Sequence, residues 1–276
     1  AQGLTTDQVA GLTTSQAGSL TTRQISAMTT EQVFALETAD VFALKTAQVA
    51  ALTTTQIQQG LSTDQVASMG TGQVAAMTTA QIAQGLRTRQ VQVLTSEQLA
   101  SIETADVLAL KTSQIAALTT QQVSQGLVSD QIVALNSDQA RSFTQLQMAA
   151  LTTQQVAAFE TEDLAALKSS QIAALKTHQV AALTTDQVVA LTTEQVNNMG
   201  TAQAAALTTD QIAVMQTEDV VALRTNHVAA LTSDQVRAFV TDHILALTTA
   251  QLSALSTSQV NQGLTSDQIA ALTTQQ

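Results

Sequence analysis

Leu183-Thr184-Thr185-Asp186-Gln187-Val188-Val189-Ala190 is one instance of an eight-residue phrase, Leu-Thr-Thr-x-Gln-Val/Ile-Ala-Ala, that fills the chain. The phrase opens at Leu4, Leu12, Leu20 and Met28 and continues to Leu264 and Leu272, giving 33 complete copies and a 34th that stops at Gln276. Four copies have nine residues and the rest eight. Self-similarity at a fixed short period marks an array whose units pack mainly on their neighbours. Residues 1–276 are therefore read as one continuous repeat array, and its start and stop in mid-phrase read as a slice of a longer one.

An uninterrupted helix uses such a phrase badly. Eight steps of about 100° turn the apolar stripe by roughly 80° per phrase, so the Leu positions would spiral around the rod. The chain must break and restart within every phrase. The third position is Thr or Ser everywhere except at Gln145, whereas the second accepts Thr5, Glu37, Lys45, Gly70, Arg87, Val128 and Asn136. A fixed small hydroxyl beside a variable site is what a helix N-cap needs, which makes Thr6, Thr14, Thr22 and Thr30 the first expected caps. Acids favour the fourth position (Asp7, Glu31, Asp64, Glu97) and bases the second (Lys45, Arg87, Lys111), as the helix dipole prefers for a start and a finish. The nine-residue copies insert Gly60, Gly85, Gly126 and Gly263 after Gln and before Leu, which suits a left-handed residue at a helix end.

The expected fold is all-α: a superhelical solenoid of very short helices, one per octad. Its rival is a β-solenoid, favoured by Val or Ile at 26 of the 33 sixth positions. Against strands, the sixth position directly follows Gln, Ala-Ala dominates the two positions after it, and no regular corner carries Gly, Asn or Asp. Helices this short do not persist alone in water, so stacking must hold them.

Gln fills the fifth position in 28 of 34 phrases; the exceptions are four Asp and two His. One reading is structural, with the amide bonding backbone groups at the break between short helices as a ladder along the array. The other is a first-turn helix residue retained by recent duplication. Glu37-Thr38-Ala39-Asp40, Glu103-Thr104-Ala105-Asp106, Glu160-Thr161-Glu162-Asp163 and Gln216-Thr217-Glu218-Asp219 recur as a slower rhythm, each followed by Lys45, Lys111, Lys168 or Arg224. These sets read as spaced ion-pair or cation sites, or as a duplicated block of seven or eight phrases whose exposed pairs are worth little.

Little else carries chemistry. Cys and Pro are absent, and of three histidines His227 and His243 stand in the Gln slot without a third ligand in view. There is no phosphate loop, zinc-protease pair or calcium loop, so neither enzyme activity nor a cofactor or metal is expected. A net charge of −11 argues against nucleic-acid partners, and no apolar run is long enough for membrane insertion. Phe34, Phe42, Leu108, Val221 and Leu245 occupy the seventh position, otherwise mostly Ala. If that face is exposed they are spots for lateral contact; if half inside, they are packing variants.

The Leu183–Ala190 wording resembles the opening of a transcription-activator-like effector repeat, but the longer repeat, the base-reading loop and the basic surface are missing, so DNA recognition is not implied. Over the whole chain the Leu-Thr-Thr-x-Gln-Val/Ile wording resembles octapeptide-repeat regions of very large secreted or surface-exposed bacterial proteins. That resemblance implies an extracellular or cell-surface location and a structural or adhesive role: a fibre, filament or adhesin stalk built by end-to-end or lateral assembly. Its partners would be copies of itself or further repeats of the same chain, with surface glycans as another candidate. The alternative function is a repeat scaffold that binds a peptide or polysaccharide.

Overall fold

The computed structural model describes residues 3–276, which form two compact units, divided between Ser142 and Phe143. The octad wording runs through both. Each phrase forms one short helix of four to six residues, beginning with Thr6–Ala10, Thr14–Ser19 and Thr22–Ser26. No strand occurs among the described residues, which removes the β-solenoid. Each helix ends because the first residue of the next phrase turns extended: Leu36 has φ −61 and ψ 135, and Leu44 φ −62 and ψ 142.

Within each unit, helices pack on those three phrases later. In the first unit Thr6–Ala10 lies on Thr30–Ala35, which lies on Gln56–Gly60, which lies on Gln81–Gly85. In the second, Thr161–Ala166, Thr185–Ala190 and Thr209–Val214 stack the same way. Three octads thus complete one turn of a solenoid. Sixth-position side chains such as Val49, Ile115 and Ile212 are wholly buried, and first-position Leu44, Leu110 and Leu207 nearly so. In each unit Val/Ile and Leu therefore line a thin core, and burial of this kind, about 2 kcal/mol per large side chain, is what holds helices too short to stand alone.

The caps sit one residue earlier than the sequence suggested. Thr5, Thr13, Thr21 and Thr29, at the second position, are the N-caps: each is extended, and its hydroxyl accepts the N–H of the Gln three residues on. Thr6, Thr14, Thr22 and Thr30 are the first helical residues instead. The inference failed because the invariant half of the cap is the Gln. Its side-chain oxygen accepts the N–H of the cap residue, a bond that needs only backbone, so Lys45, Arg87 and Val128 serve as caps without a hydroxyl.

The inserted glycines also differ from expectation. No glycine among the described residues has a positive φ. The extra residue is absorbed as a π-turn over Gln56–Gly60, Gln81–Gly85, Gln122–Gly126 and Gln259–Gly263, closed by bonds such as Leu61 N–H to the Gln56 carbonyl at 3.0 Å. Glycine is required there by proximity. A Cβ on Gly60 would lie 3.0 Å from Val33 Cβ, and one on Gly263 3.0 Å from both the Ser233 carbonyl oxygen and Val236 Cβ. The bulged turn presses onto the helix three phrases before it.

Candidate functional site

The chemically distinctive feature is the fifth-position slot, where a polar side chain lies buried in turn after turn. Gln48, Gln90, Gln114, Gln179 and Gln211 are at most 2% exposed. Because Gln is the third residue of its helix, its side chain reaches back to the cap and outward to the turn below. In the first unit the Gln90 oxygen accepts the Arg87 N–H at 2.9 Å while its nitrogen donates to the Ile57 and Leu61 carbonyls, each at 2.8 Å. In the second, Gln211 accepts from Thr208 N–H at 2.8 Å and donates to Val180 at 3.0 Å and Leu183 at 2.7 Å. The carbonyls lie 28 to 33 residues back, at the joint where one helix ends and the next begins. A helix end leaves carbonyls without intrahelical partners, and here one amide serves an orphan N–H of its own helix and orphan carbonyls of another. The structural ladder is the reading the geometry supports.

The exceptions obey the same rule. His243 accepts the Val240 N–H on Nδ1 at 3.4 Å, and its Nε2 lies 2.9 Å from the Met215 carbonyl, so a neutral ring protonated at Nε2 replaces the amide. His227 likewise takes the Arg224 N–H on Nδ1 at 3.2 Å. Burial holds both rings below the usual histidine range; the Arg224 charge adds to this at His227, while the Met215 carbonyl and Asp242 oppose it at His243. His178 is exposed.

Aspartate fits only half of the slot. Asp40, Asp106, Asp163 and Asp219 are all buried. Asp40 takes the Glu37 N–H at 3.4 Å, but an ionised carboxylate has no hydrogen for a carbonyl. Burial, reinforced by the charge of Glu218, pushes the Asp219 carboxyl up to about 6. Glu31, at an open helix start, moves the other way: its own backbone N–H and the Thr29 and Thr30 hydroxyls hold it below the carboxylate norm. Lys45, Lys111 and Arg224 form no ion pair with Asp40, Asp106 or Asp219, whereas Arg237 pairs with Asp234 at 3.4 Å. No group of three His, Asp or Glu among the described residues is placed to hold a metal.

Outside the ladder, Phe34 (64%) and Phe42 (63%) are well exposed, as are Leu108, Val221 and Leu245, so the seventh position faces solvent. Val128, Val133 and Val240 are exposed as well, Val133 at the seventh position and the other two at the second. Thr6, Thr30, Glu31, Phe34, Ala35 and Gln59 line a shallow surface depression. No helix among the described residues is long and apolar enough to cross a membrane.

A family model described as the ALTTAQ repeat matches residues 33–71, 99–137, 156–193, 188–217, 212–249 and 244–274, more than half of the chain. The chain belongs to the ALTTAQ repeat family. The matched wording is that of the ladder unit: apolar opener, capping pair, slot Gln. No curated protein matches the chain. Among solved structures, the leucine-rich repeat-containing protein LegL7 from Legionella pneumophila is similar over 87% of this chain and 77% of that one, at 8% identity and a TM-score of 0.20. A score that low supports no conclusion about this ALTTAQ array.

Proposed function

We propose that this ALTTAQ array is a non-enzymatic structural element of a fibre, filament or adhesin stalk at the cell surface or outside the cell, extended by stacking turns of its own chain or of copies of itself. The observation that carries this reading is the polarity of the ladder. Each interior turn offers amide donors on one face and helix-end carbonyls on the other, as Gln211 shows against Leu183. A surface with unlike, complementary faces joins copies head to tail, which gives an open filament when the rotation between copies does not close a ring. The exposed Phe34, Phe42, Leu108, Val221 and Leu245 suit lateral contact between such arrays. The extracellular setting rests on the resemblance to repeat regions of large secreted or surface bacterial proteins.

A scaffold for a peptide or polysaccharide is the second reading. It is favoured by the depression where Phe34 adjoins Thr6, Glu31 and Gln59, an aromatic face beside polar groups. Electron microscopy of the purified chain separates the two. Thin fibres that lengthen with protein concentration are expected, whereas uniformly monomeric particles that bind a defined glycan or peptide would reject the structural role.

A further inference from the structure

At most slots one amide closes the joint of the turn below, but at Asp219 nothing does. The carbonyl opposite, by its place in the repeat, is that of Leu191, just as Leu183 stands opposite Gln211. Val188 accepts from the Leu191 N–H at 3.2 Å, and Val189 from the Gln216 side chain at 2.9 Å. Among the described residues, no donor meets the Leu191 carbonyl oxygen. Asp219 is 2% exposed, so water does not freely supply the missing hydrogen. The same arrangement recurs at Asp106, whose Oδ1 is buried with no partner and whose counterpart carbonyl, that of Met77, also has no donor. In both slots a buried carboxyl stands where Gln donates elsewhere, and the carbonyl in register with it has no donor.

We propose that Asp219 is a proton-binding site: its protonated carboxyl donates to the Leu191 carbonyl, closing the rung in acid and opening it as the proton leaves. A proton is the addition that turns the acceptor-only group into the acceptor-and-donor that Gln and neutral His supply in this slot. The surrounding charges favour it. Glu218 lies on the same helix, Thr217–Ala222; the helices packed against that one, Thr193–Asn197 and Thr241–Ala246, carry Glu194, Asp242 and His243. The helix that ends at the joint, Thr185–Ala190, carries Asp186. The nearby cation, Arg224, is turned to Asn197 Oδ1 at 3.3 Å and makes no ion pair with Asp219. Burial of a carboxyl among acids and uncharged backbone disfavours its ionised form, in line with its upward-shifted titration.

The test uses the full chain with ¹³C-labelled aspartate carboxyls, following Asp219 against the exposed Asp267 by NMR from pH 3 to 8. Asp219 should titrate near pH 6, about two pH units above an ordinary aspartate. In parallel, urea unfolding of wild type and Asp219→Gln is compared at pH 5 and 7.5. Because the folded state holds the proton more tightly than the unfolded one, wild type should gain about tenfold over the variant in its folding constant on going to pH 5. Titration of Asp219 in the ordinary aspartate range near pH 4, or a wild-type-to-variant ratio that does not change with pH, overturns the proposal. So does a wild-type stability at pH 7.5 that depends on Na⁺ or K⁺ and loses that dependence in Asp219→Gln, since a cation would then fill the gap. If the variant does not fold, the wild-type titration decides alone.

Discussion

Replacing one ladder glutamine by an apolar side chain of similar length isolates the worth of a rung, and Gln211→Met is the informative choice. Gln211 is 2% exposed and bonds three groups closely: the Thr208 N–H, the Val180 carbonyl and the Leu183 carbonyl. Val180 keeps a second partner, the Leu183 N–H at 3.2 Å. The Thr208 N–H and the Leu183 carbonyl keep none, so two backbone groups are stranded at about 1–3 kcal/mol each. Methionine recovers roughly 1 kcal/mol by burying apolar surface. The net loss should be about 3 kcal/mol, a factor of more than a hundred in the local opening equilibrium. Gln16→Met is the control, because Gln16 is exposed and its amide bonds only Thr13; it should lose about 1 kcal/mol or less. Urea unfolding followed by far-UV circular dichroism gives both values, and hydrogen exchange at the Thr185 and Thr209 helices locates the damage. Equal losses within about 0.5 kcal/mol would refute the idea that the bond between turns, rather than the capping bond, makes the slot glutamine indispensable.

The corrected cap position predicts that Thr208→Val lowers stability by about 1 kcal/mol while Thr209→Val, one residue on, leaves it nearly unchanged, measured by the same unfolding curves. Glycines divide by their surroundings: Gly85→Ala sets a Cβ 3.2 Å from Ile57 and should cost about 1–3 kcal/mol, whereas Gly72→Ala meets nothing within 4 Å and should stabilise by about 0.5–1 kcal/mol. Thermal melts that move both variants the same way would remove the close-approach account. His243 carries a folded-state pKa lowered by burial, so the unfolded chain binds its proton first and its contribution to stability should fall as the pH drops below 6.5; because His227 and Asp219 titrate in both chains, His243→Gln should gain stability relative to wild type between pH 7.5 and 5 in paired urea titrations.

Much of the fold was legible because the octad's arithmetic forbids a continuous helix, and because Ala-Ala and the Gln-Val order argue against strands. The thin Leu and Val/Ile core followed from the same spacing. Which residue caps each helix was misread, since Thr6 and its equivalents are constant while the true cap position tolerates Lys45 and Arg87. Constancy signals a cap only where the side chain does the capping, and here the backbone of the cap residue and the side chain of Gln do most of it. The glycines misled for a related reason. A Gly-Leu pair at a helix end carries the same letters whether glycine supplies a left-handed φ or the room for Val33 or Ile57 to approach. Only the neighbour three phrases away distinguishes them, and no local window contains it. The exposure of Phe34 and Phe42 could not be decided from sequence either, because Ala, their usual counterpart, fits either side of a surface.

The slot substitutions show how tightly one small chemical requirement shapes the array. Each joint needs a group that accepts toward its own helix start and donates toward a helix end 28 to 33 residues back. Glutamine does both at the right length. Neutral His243 does both through its two ring nitrogens, at the expense of being unable to take a second proton without losing its acceptor. Ionised aspartate cannot donate, and the carbonyls in register with Asp219 and Asp106, those of Leu191 and Met77, have no donor. Serine or threonine would be too short to span both bonds, and glutamate would repeat the defect of aspartate at full length. A ladder built on this rule tolerates wide variation at exposed positions, which is where the copies differ most, while the slot admits three residue types in 34 copies. Uniform interior rungs beneath a variable skin are what an extensible scaffold requires, because every new turn meets the same donors and acceptors whatever its surface carries.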